Sequence, residues 1–229
     1  MSELVDRIRG QGHWRMLVRP ATFDEERIPT LSACEQVVDK CQVRQRGWYF
    51  PHTDSSRLQR RLDYIELETD FPHHPEAWRF YQSGQFVFVK ALGEDNLDKY
   101  RGGSGAAAAK PGEWLGVLST LYQLSEIYEF VARLAQDGVL GDQLAVSITL
   151  NRLKGRQMAF ESPDRSMGDN CKCIEDSLPR LKTYSVADLV SRARELALEH
   201  FLWITERFQC PGTERVFRSD QEKFFEGRY

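Results

Sequence analysis

The chain has 229 residues, of which 41% are hydrophobic and 28% are charged, and such proportions are typical of a globular protein that buries its own core. The formal net charge of −3 excludes a protein that holds nucleic acid by bulk positive charge alone, and no stretch has the length and hydrophobicity of a membrane span. The five cysteines are odd in number and unevenly spaced, so we expect mostly reduced thiols and a cytoplasmic location.

The first third of the sequence predicts short helices and strands. Residues 3–9 and 30–40 have helical spacing, and residues 14–18 read as a strand that Pro20 ends. From residue 42 the hydrophobic period changes to two, which predicts three further strands at residues 43–51, 64–71 and 84–92. Residues 75–83 lie between the last two of these strands, and we expect one helical turn or more there.

The longest unbroken helical pattern covers residues 113–136. Its apolar residues form a broad arc, while a few polar residues cluster opposite, namely Ser119, Gln123, Glu126, Arg133 and Asp137. Other parts of the protein must therefore pack around most of the circumference of this helix. Gly138 is the predicted end of the helix, because glycine adopts the left-handed conformation without strain.

The C-terminal third predicts a β-hairpin at residues 144–162, with Lys154 and Gly155 near its turn. A further strand at residues 178–184 is placed at a sheet edge, because Pro179 cannot donate a main-chain hydrogen bond. A second long helix is predicted to begin after Ser185, where Asp188 completes a capping box. A short polar helix is expected at residues 219–227.

The strands occur in runs and do not alternate regularly with helices. The predicted fold is therefore an α+β two-layer sandwich, in which two long helices cover a mostly antiparallel sheet of about five to seven strands. Residues 1–229 are predicted to form one domain. Within it, residues 101–112 are rich in glycine and alanine, which predicts a flexible natural loop or an introduced linker.

The densest polar cluster suggests a metal site. Its candidate ligands are His52, Asp70, His73 and His74, because imidazole and carboxylate together bind divalent ions and activate water. The alternative interpretation is a solvated sheet face beside a polar loop, since the histidine pair lacks the HExxH spacing of known zinc sites. We therefore expect no cofactor, with a divalent metal ion as the alternative.

By residue type alone, Cys171, Cys173, Cys210 and His200 could form a zinc site. Structural zinc sites usually contain CxxC pairs, so the CxC spacing favours a pair of exposed thiols in a loop. His200 falls on the apolar stripe of its predicted helix, which is more typical of a hydrogen-bonded core histidine.

Basic residues cluster in two places and could contact phosphates, with one tryptophan near the first cluster for base stacking. The residues are Arg57, Arg60 and Arg61 in the first cluster, Arg152, Lys154 and Arg156 in the second, and Trp48. The alternative interpretation is a solvated loop and a hairpin tip.

Three runs carry a resemblance to a known family: RGWYFPH at residues 46–52, WRFYQSGQF at 78–86 and LYQLSEIYEF at 121–130. They resemble uncharacterised bacterial proteins associated with Schlafen-like (AlbA-2 type) DNA-binding domains. The resemblance covers most of the chain outside residues 101–112, and it rests on aromatic packing residues. It implies an accessory or sensor domain that works beside a nucleic-acid-related partner, and it assigns no functional residue.

With no recognisable catalytic constellation, the leading hypothesis is a non-enzymatic cytoplasmic interaction or regulatory module. Its expected partner is another protein or a second copy of the chain, because the many aromatic residues can anchor interfaces. One alternative is a metal-dependent hydrolase or nuclease that uses the region of His52, Asp70, His73 and His74. A second is nucleic-acid binding through the arginine clusters. No membrane partner is expected.

Overall fold

A seven-stranded antiparallel sheet forms one layer of the computed structural model, which describes residues 2–99, 110–162, 164–168, 170–210 and 213–228. Numbered in chain order and given in their order across the sheet, its strands are β11 (Ser177–Ser185), β9 (Gln143–Asn151), β1 (His13–Pro20), β7 (Phe86–Ala91), β6 (His74–Tyr81), β5 (Tyr64–Phe71) and β4 (Gln59–Arg60). Two small ribbons lie outside this sheet. They are β2 (Val43–Arg44) with β3 (Tyr49–Phe50), and β8 (Trp114–Gly116) with β10 (Gln157–Ala159).

The described residues also form α-helices and one 3-10 helix, at Gly93–Lys99. The α-helices are α1 (Glu3–Arg9), α2 (Leu31–Cys41), α3 (Val117–Gln136), α4 (Val186–Arg207) and α5 (Glu214–Phe225). The long helices α3 and α4 pack against each other and share one hydrophobic core with the inner face of the sheet. This confirms the predicted α+β sandwich. The helix α1 adds a partial third layer, because it packs on the outer face against β6 and β7.

Period-two alternation along the strands builds the core. Phe86 and Phe88 of β7 point to the inner face, and both side chains are fully buried. The ring of Phe86 lies 4.9 Å from that of Phe130 on α3, centroid to centroid. Phe50 of the β2–β3 ribbon contacts both Phe88 and Phe130, at centroid distances of 5.1 and 5.7 Å. The ribbon is thereby fixed against the sheet and α3.

Most residues around the circumference of helix α3 are buried, as predicted. It begins later than the pattern indicated, because residues 114–116 form β8 and Gly116 is the N-cap. Gly116 has no side chain to cap the helix. The Glu161 carboxylate takes this role by accepting the backbone N–H groups of Leu118 and Ser119, at 3.0 and 2.7 Å. Gly138 follows the helix with φ +87°, as predicted.

The start of α4 and the edge strand before it are confirmed. The Ser185 hydroxyl accepts the backbone N–H of Asp188 at 3.0 Å and donates to its carboxylate at 2.7 Å. The strand β11 contains Pro179 and, among the described strands, pairs only with β9, so it is one edge of the sheet. The other edge is the two-residue strand β4.

The helical turn predicted at residues 75–83 is wrong, because these residues lie mostly in strand β6. Glu76, Trp78 and Phe80 point to the inner face, whereas Ala77 belongs to the small outer cluster under α1. Both faces of this strand are buried, and one inward residue is charged. The apolar alternation that identifies a strand is therefore absent from its sequence.

Two other predicted elements are also corrected. Residues 43–51 do not form one strand but a two-stranded ribbon that turns at Gly47, whose φ is +84°. The hairpin predicted at residues 144–162 is wrong, because β9 pairs with β1 and β11, and β10 pairs in parallel with β8. The chain leaves the sheet after β9 through Arg152 and Gly155, both with positive φ, and buries Leu153 between them. Residues 101–109 of the predicted flexible segment lie outside the described residues.

Candidate functional site

The inner face of the sheet becomes polar at one end. Lys90 comes two residues after Phe88 on β7, and Glu76 comes two residues before Trp78 on β6, so both charged side chains point to the core side. The register pairs Lys90 with Glu76 on one side and with Trp14 of β1 on the other. Glu76 is 0% exposed and Lys90 is 6% exposed. Two charged groups are thus buried side by side in one cross-strand row.

The helix α3 faces this row with polar side chains. Lys90 Nζ donates to Gln123 Oε1 at 2.6 Å, and Gln123 is 2% exposed. Arg46, in the turn of the β2–β3 ribbon, donates to the same Gln123 oxygen at 3.2 Å and to both oxygens of Glu126. Glu126 is fully buried. Two of the five residues assigned from sequence to the polar face of α3, Gln123 and Glu126, are therefore part of a buried network.

Glu76 is held by two donors. The backbone N–H of His52 donates to Oε1 at 2.8 Å, and His74 Nε2 lies 2.7 Å from Oε2. Because an ionised carboxylate only accepts hydrogen bonds, His74 donates from Nε2. Burial, reinforced by the charge of Lys90, lowers the pKa of His74. Burial acts to raise the pKa of Glu76, but the hydrogen bond from His74 and the nearby positive charge outweigh it, and the pKa is lowered.

Lys90 has no comparable anionic partner. Its one hydrogen bond is to the neutral amide of Gln123, and no carboxylate in the described part of the chain forms an ion pair with it. Burial lowers the pKa of Lys90 to about 8, and the neighbouring Arg46 guanidinium lowers it further than any nearby carboxylate raises it. The ammonium is therefore mostly charged at pH 7, and Glu76, Glu126 and Glu94 favour its charge from a distance without forming an ion pair with it.

A pocket of about 160 Å³ lies between this row and α3. Lys90, Thr120 and Gln123 supply part of its polar wall, and Trp14 and Trp48 supply aromatic surface. Trp48 is 45% exposed, so it marks the solvent side of the pocket. Its ring meets that of His74 edge to face, with 4.8 Å between the centroids.

Two buried donors on the pocket wall are without a hydrogen-bond partner among the described residues, Thr120 Oγ1 and Gln123 Nε2. Thr120 is 1% exposed. The amide of Gln123 has one consistent orientation, because its oxygen faces the cations Lys90 and Arg46, which cannot accept a hydrogen bond. Most buried polar groups in proteins are satisfied, so two such donors in one pocket call for an explanation.

Two acidic residues, Glu94 and Asp95, lie on the side of the pocket near the start of α3, and both accept hydrogen bonds from other parts of the protein. Glu94 Oε1 accepts the Gly116 N–H and the Ser119 hydroxyl, both at 2.8 Å. Its neighbour Asp95 forms a buried ion pair with Arg156, with 2.7 Å between Nη1 and Oδ1. These contacts fix the 3-10 helix against the start of α3.

The four candidate metal ligands have separate partners. The His52 ring contacts Phe71, and Asp70 forms an exposed ion pair with an arginine of α1. His73 Nδ1 lies 3.1 Å from a backbone oxygen of the 3-10 helix, and His74 is bonded to Glu76. Only His73 and His74 line the pocket. In the ranges that the structure describes, no three histidine, cysteine or acidic residues come together as a metal-binding group.

The cysteines differ from the expectation of exposed, reduced thiols. Cys171 forms a disulfide with Cys210, and Cys173 is a buried thiol. Cys171 and Cys173 are buried because the backbone around them pairs with that of residues 156–158, beside β10. His200 is a core histidine, as expected, with Nδ1 lying 3.2 Å from the Tyr128 hydroxyl. Burial lowers its pKa well below the ordinary value.

Half of the residues in the two basic clusters form ion pairs. Arg156 is 2% exposed and bonded to Asp95, so it cannot contact a nucleic acid. Arg60 and Arg61 pair with Glu35 and Glu66. The remaining members of the two clusters are exposed at the surface, namely Arg57, Arg152 and Lys154. Arg152 donates to the backbone oxygen of residue 9 at 2.9 Å.

Sequence reasoning missed the central residues of the pocket, which are Arg46, Lys90, Thr120 and Gln123, and also the buried Glu76 beside them. The sequence held one sign of the buried lysine, since Lys90 continues the inward alternation of Phe86 and Phe88.

None of the described helices is long and apolar enough to cross a membrane. No protein-family model, curated protein or solved structure matches this chain.

Proposed function

We propose that this protein is a non-enzymatic regulatory module that binds a small polar molecule in the pocket between the sheet and α3. The observation that carries the proposal is the set of buried donors on the pocket wall. Thr120 Oγ1 and Gln123 Nε2 have no partner among the described residues, and Lys90 uses one of its three N–H groups. A buried donor without an acceptor costs about 1–3 kcal/mol, and a ligand that supplies acceptors removes that cost.

A binding role fits these residues better than a catalytic one. Glu76 is fully buried and both its oxygens already accept hydrogen bonds, so it is poorly placed to act as a general base. Lys90, with a pKa of about 8, is mostly an ammonium at neutral pH and acts as a cation for binding. The pocket therefore offers recognition groups without a suitably positioned base.

The regulatory part of the proposal rests on the ribbon that carries Arg46. This ribbon also carries Trp48 and Tyr49, which are 45% and 41% exposed. A ligand that touches Arg46 and Trp48 would order an exposed aromatic surface, and such residues often anchor protein interfaces. The ribbon thus connects the pocket to the protein partner expected from the sequence. The accessory role beside a nucleic-acid-related system, which the family resemblance implies, remains a prediction.

The cytoplasmic location also remains a prediction. Three of the cysteines are buried thiols, in agreement with reducing surroundings, whereas the disulfide between Cys171 and Cys210 is more typical of an oxidising compartment.

Thermal unfolding in the presence of a mixture of small polar metabolites tests the binding function, with wild type compared to Thr120→Val. The substitution keeps the shape of the side chain and removes the hydroxyl. We expect the free variant to be at least as stable as wild type and to show a smaller ligand-induced rise in melting temperature. Thr183→Val, at an exposed position on β11, is the matched control and should behave like wild type. A clear loss of stability in Thr120→Val would mean that the hydroxyl already has a partner, which contradicts the proposal.

A further inference from the structure

The polar wall of the pocket consists mainly of hydrogen-bond donors. Lys90 has two N–H groups beyond the one that Gln123 accepts, Gln123 Nε2 has two, and the Thr120 hydroxyl has one. All three residues line the same pocket and are buried. A ligand that satisfies them must bring several acceptor atoms close together.

The neighbouring carboxylates do not fill this role, because each is bound elsewhere. Glu126 accepts from Arg46 through both oxygens, and Glu76 accepts from His52 and His74. Glu94, which lines the pocket, accepts from Gly116 and Ser119 through Oε1. None of the three carboxylates accepts a hydrogen bond from Lys90, which donates to Gln123.

The contacts of Lys90 indicate a ligand with a single negative charge. The Arg46 guanidinium is already paired with Glu126, so Lys90 is the one cation of the wall without a direct anionic partner among the described residues. Glu76, Glu126 and Glu94 raise the pKa of Lys90 from a distance and Arg46 lowers it, but none of these carboxylates forms an ion pair with the ammonium. A monoanion in direct contact matches the one charge of Lys90, whereas a dianion would exceed it on a wall that already contains Glu94.

We propose that the ligand carries a carboxylate, which is bound by the Lys90 ammonium, the Gln123 amide and the Thr120 hydroxyl. This inference rests on the proposed function, since it names the chemical class of the molecule that the same pocket binds. The two carboxylate oxygens supply the acceptors that the donors need, and the rest of the ligand lies against the indole rings of Trp14 and Trp48. A volume of about 160 Å³ limits the ligand to a small metabolite, because sites for larger molecules typically span roughly 300–1,000 Å³.

Matched probe pairs test the inference, with binding to the full chain measured by calorimetry and by tryptophan fluorescence. Benzoate and isobutyrate are compared with benzamide and isobutyramide, which have the same shape without the charge. Inorganic phosphate is the third arm. We expect each carboxylate to bind at least tenfold more tightly than its amide and more tightly than phosphate.

Two variants test whether the carboxylates bind to the polar wall of the pocket. Lys90→Met should lose carboxylate binding by at least tenfold, while Lys182→Met on β11 should retain it, because Lys182 is exposed. Gln123→Glu places a carboxylate of the protein itself between Lys90 and Arg46. This variant should fold at least as stably as wild type and should no longer bind the added carboxylates, which separates loss of binding from loss of folding.

The possible outcomes separate the inference from the function on which it rests. Amides that bind as tightly as the carboxylates, with Thr120→Val still reducing binding, would overturn the carboxylate and leave the pocket as a ligand site. Preferential binding of phosphate would also overturn it. If none of the probes binds, the inference is wrong, and the metabolite mixture alone then decides whether the pocket binds any ligand.

Discussion

We expect Lys90 to make the free protein less stable than an apolar residue would at the same position. Its pKa is about 8 in the folded protein, against an ordinary value of 10.5, chiefly because burial disfavours the ammonium. Between these two values the unfolded chain binds more protons than the folded one, so stability rises as the pH increases through this window. The full shift corresponds to roughly 3 kcal/mol, as an order of magnitude.

The expected consequence is that Lys90→Met stabilises the free protein at pH 7 by roughly 1–3 kcal/mol. The charged groups around Lys90 keep their other partners, because Glu76 retains His52 and His74, and Glu126 retains Arg46. Urea unfolding at several pH values measures the effect. Wild type should gain stability between pH 8 and 10 relative to the variant, and Lys182→Met should follow wild type. A strongly destabilised variant would show that the ammonium is needed by the nearby carboxylates of Glu76, Glu94 or Glu126.

For single residues, the sequence predicts the environment of surface side chains better than that of buried polar ones. His74 was singled out as part of a polar cluster, although as a metal ligand and not as the donor to Glu76. Gln123 and Glu126 follow a helical polar stripe, which in most helices faces solvent. They are buried here because the β2–β3 ribbon brings Arg46 over that stripe, and this contact joins residues about 80 positions apart in the chain.

The two long helices show which caps can be predicted from local sequence. Ser185 and Asp188 lie three residues apart and cap α4 as predicted. The start of α3 has no local cap, and Glu161 reaches it from 42 and 43 residues away. A cap supplied at such a distance is not visible in any short sequence window.

The substitution Glu161→Ala tests this distant cap. It leaves two N–H groups at the start of α3 without their acceptor, so we expect a loss of about 1–2 kcal/mol in the free energy of unfolding. Glu129→Ala is the control on the same helix, because Glu129 forms only a partly exposed pair with Arg133. That variant should change stability by about 0.5 kcal/mol or less. Equal effects in the two variants would argue against a capping role for Glu161.

At the scale of the whole molecule, hydrophobic periodicity is sufficient to predict the α+β class and the sheet size. It does not predict how distant segments join. The ribbon of β8 and β10 pairs Leu115 with Met158, and the disulfide joins Cys171 to Cys210 across a separation of 39 residues. Neither contact leaves a local pattern in the sequence. The predicted hairpin at residues 144–162 failed for this reason, because β10 finds its partner far along the chain.

The disulfide ties the loop beside β10 to the segment that follows α4. We expect reduction to lower the free energy of unfolding by about 4 kcal/mol, because a cross-link over this separation restricts the unfolded chain. Urea unfolding with and without reductant measures the change, and Cys173→Ala should respond to reductant like wild type. Thiol titration of the denatured protein gives a direct check. Three thiols should react before reduction and five after it, and five at the outset would mean that the bridge does not form.

The two ends of the seven-stranded sheet limit how copies of this protein can associate. The outer strand β11 contains Pro179, which has no main-chain donor, and also the charged residues Arg180 and Lys182. At the opposite end, β4 offers only two residues. Natural proteins use such features to prevent another chain from extending a sheet, so fibril-like stacking of strands is disfavoured at both ends. We therefore expect a homodimer of this protein to form through surfaces other than the two sheet edges, such as its helices or the ribbon of Trp48 and Tyr49.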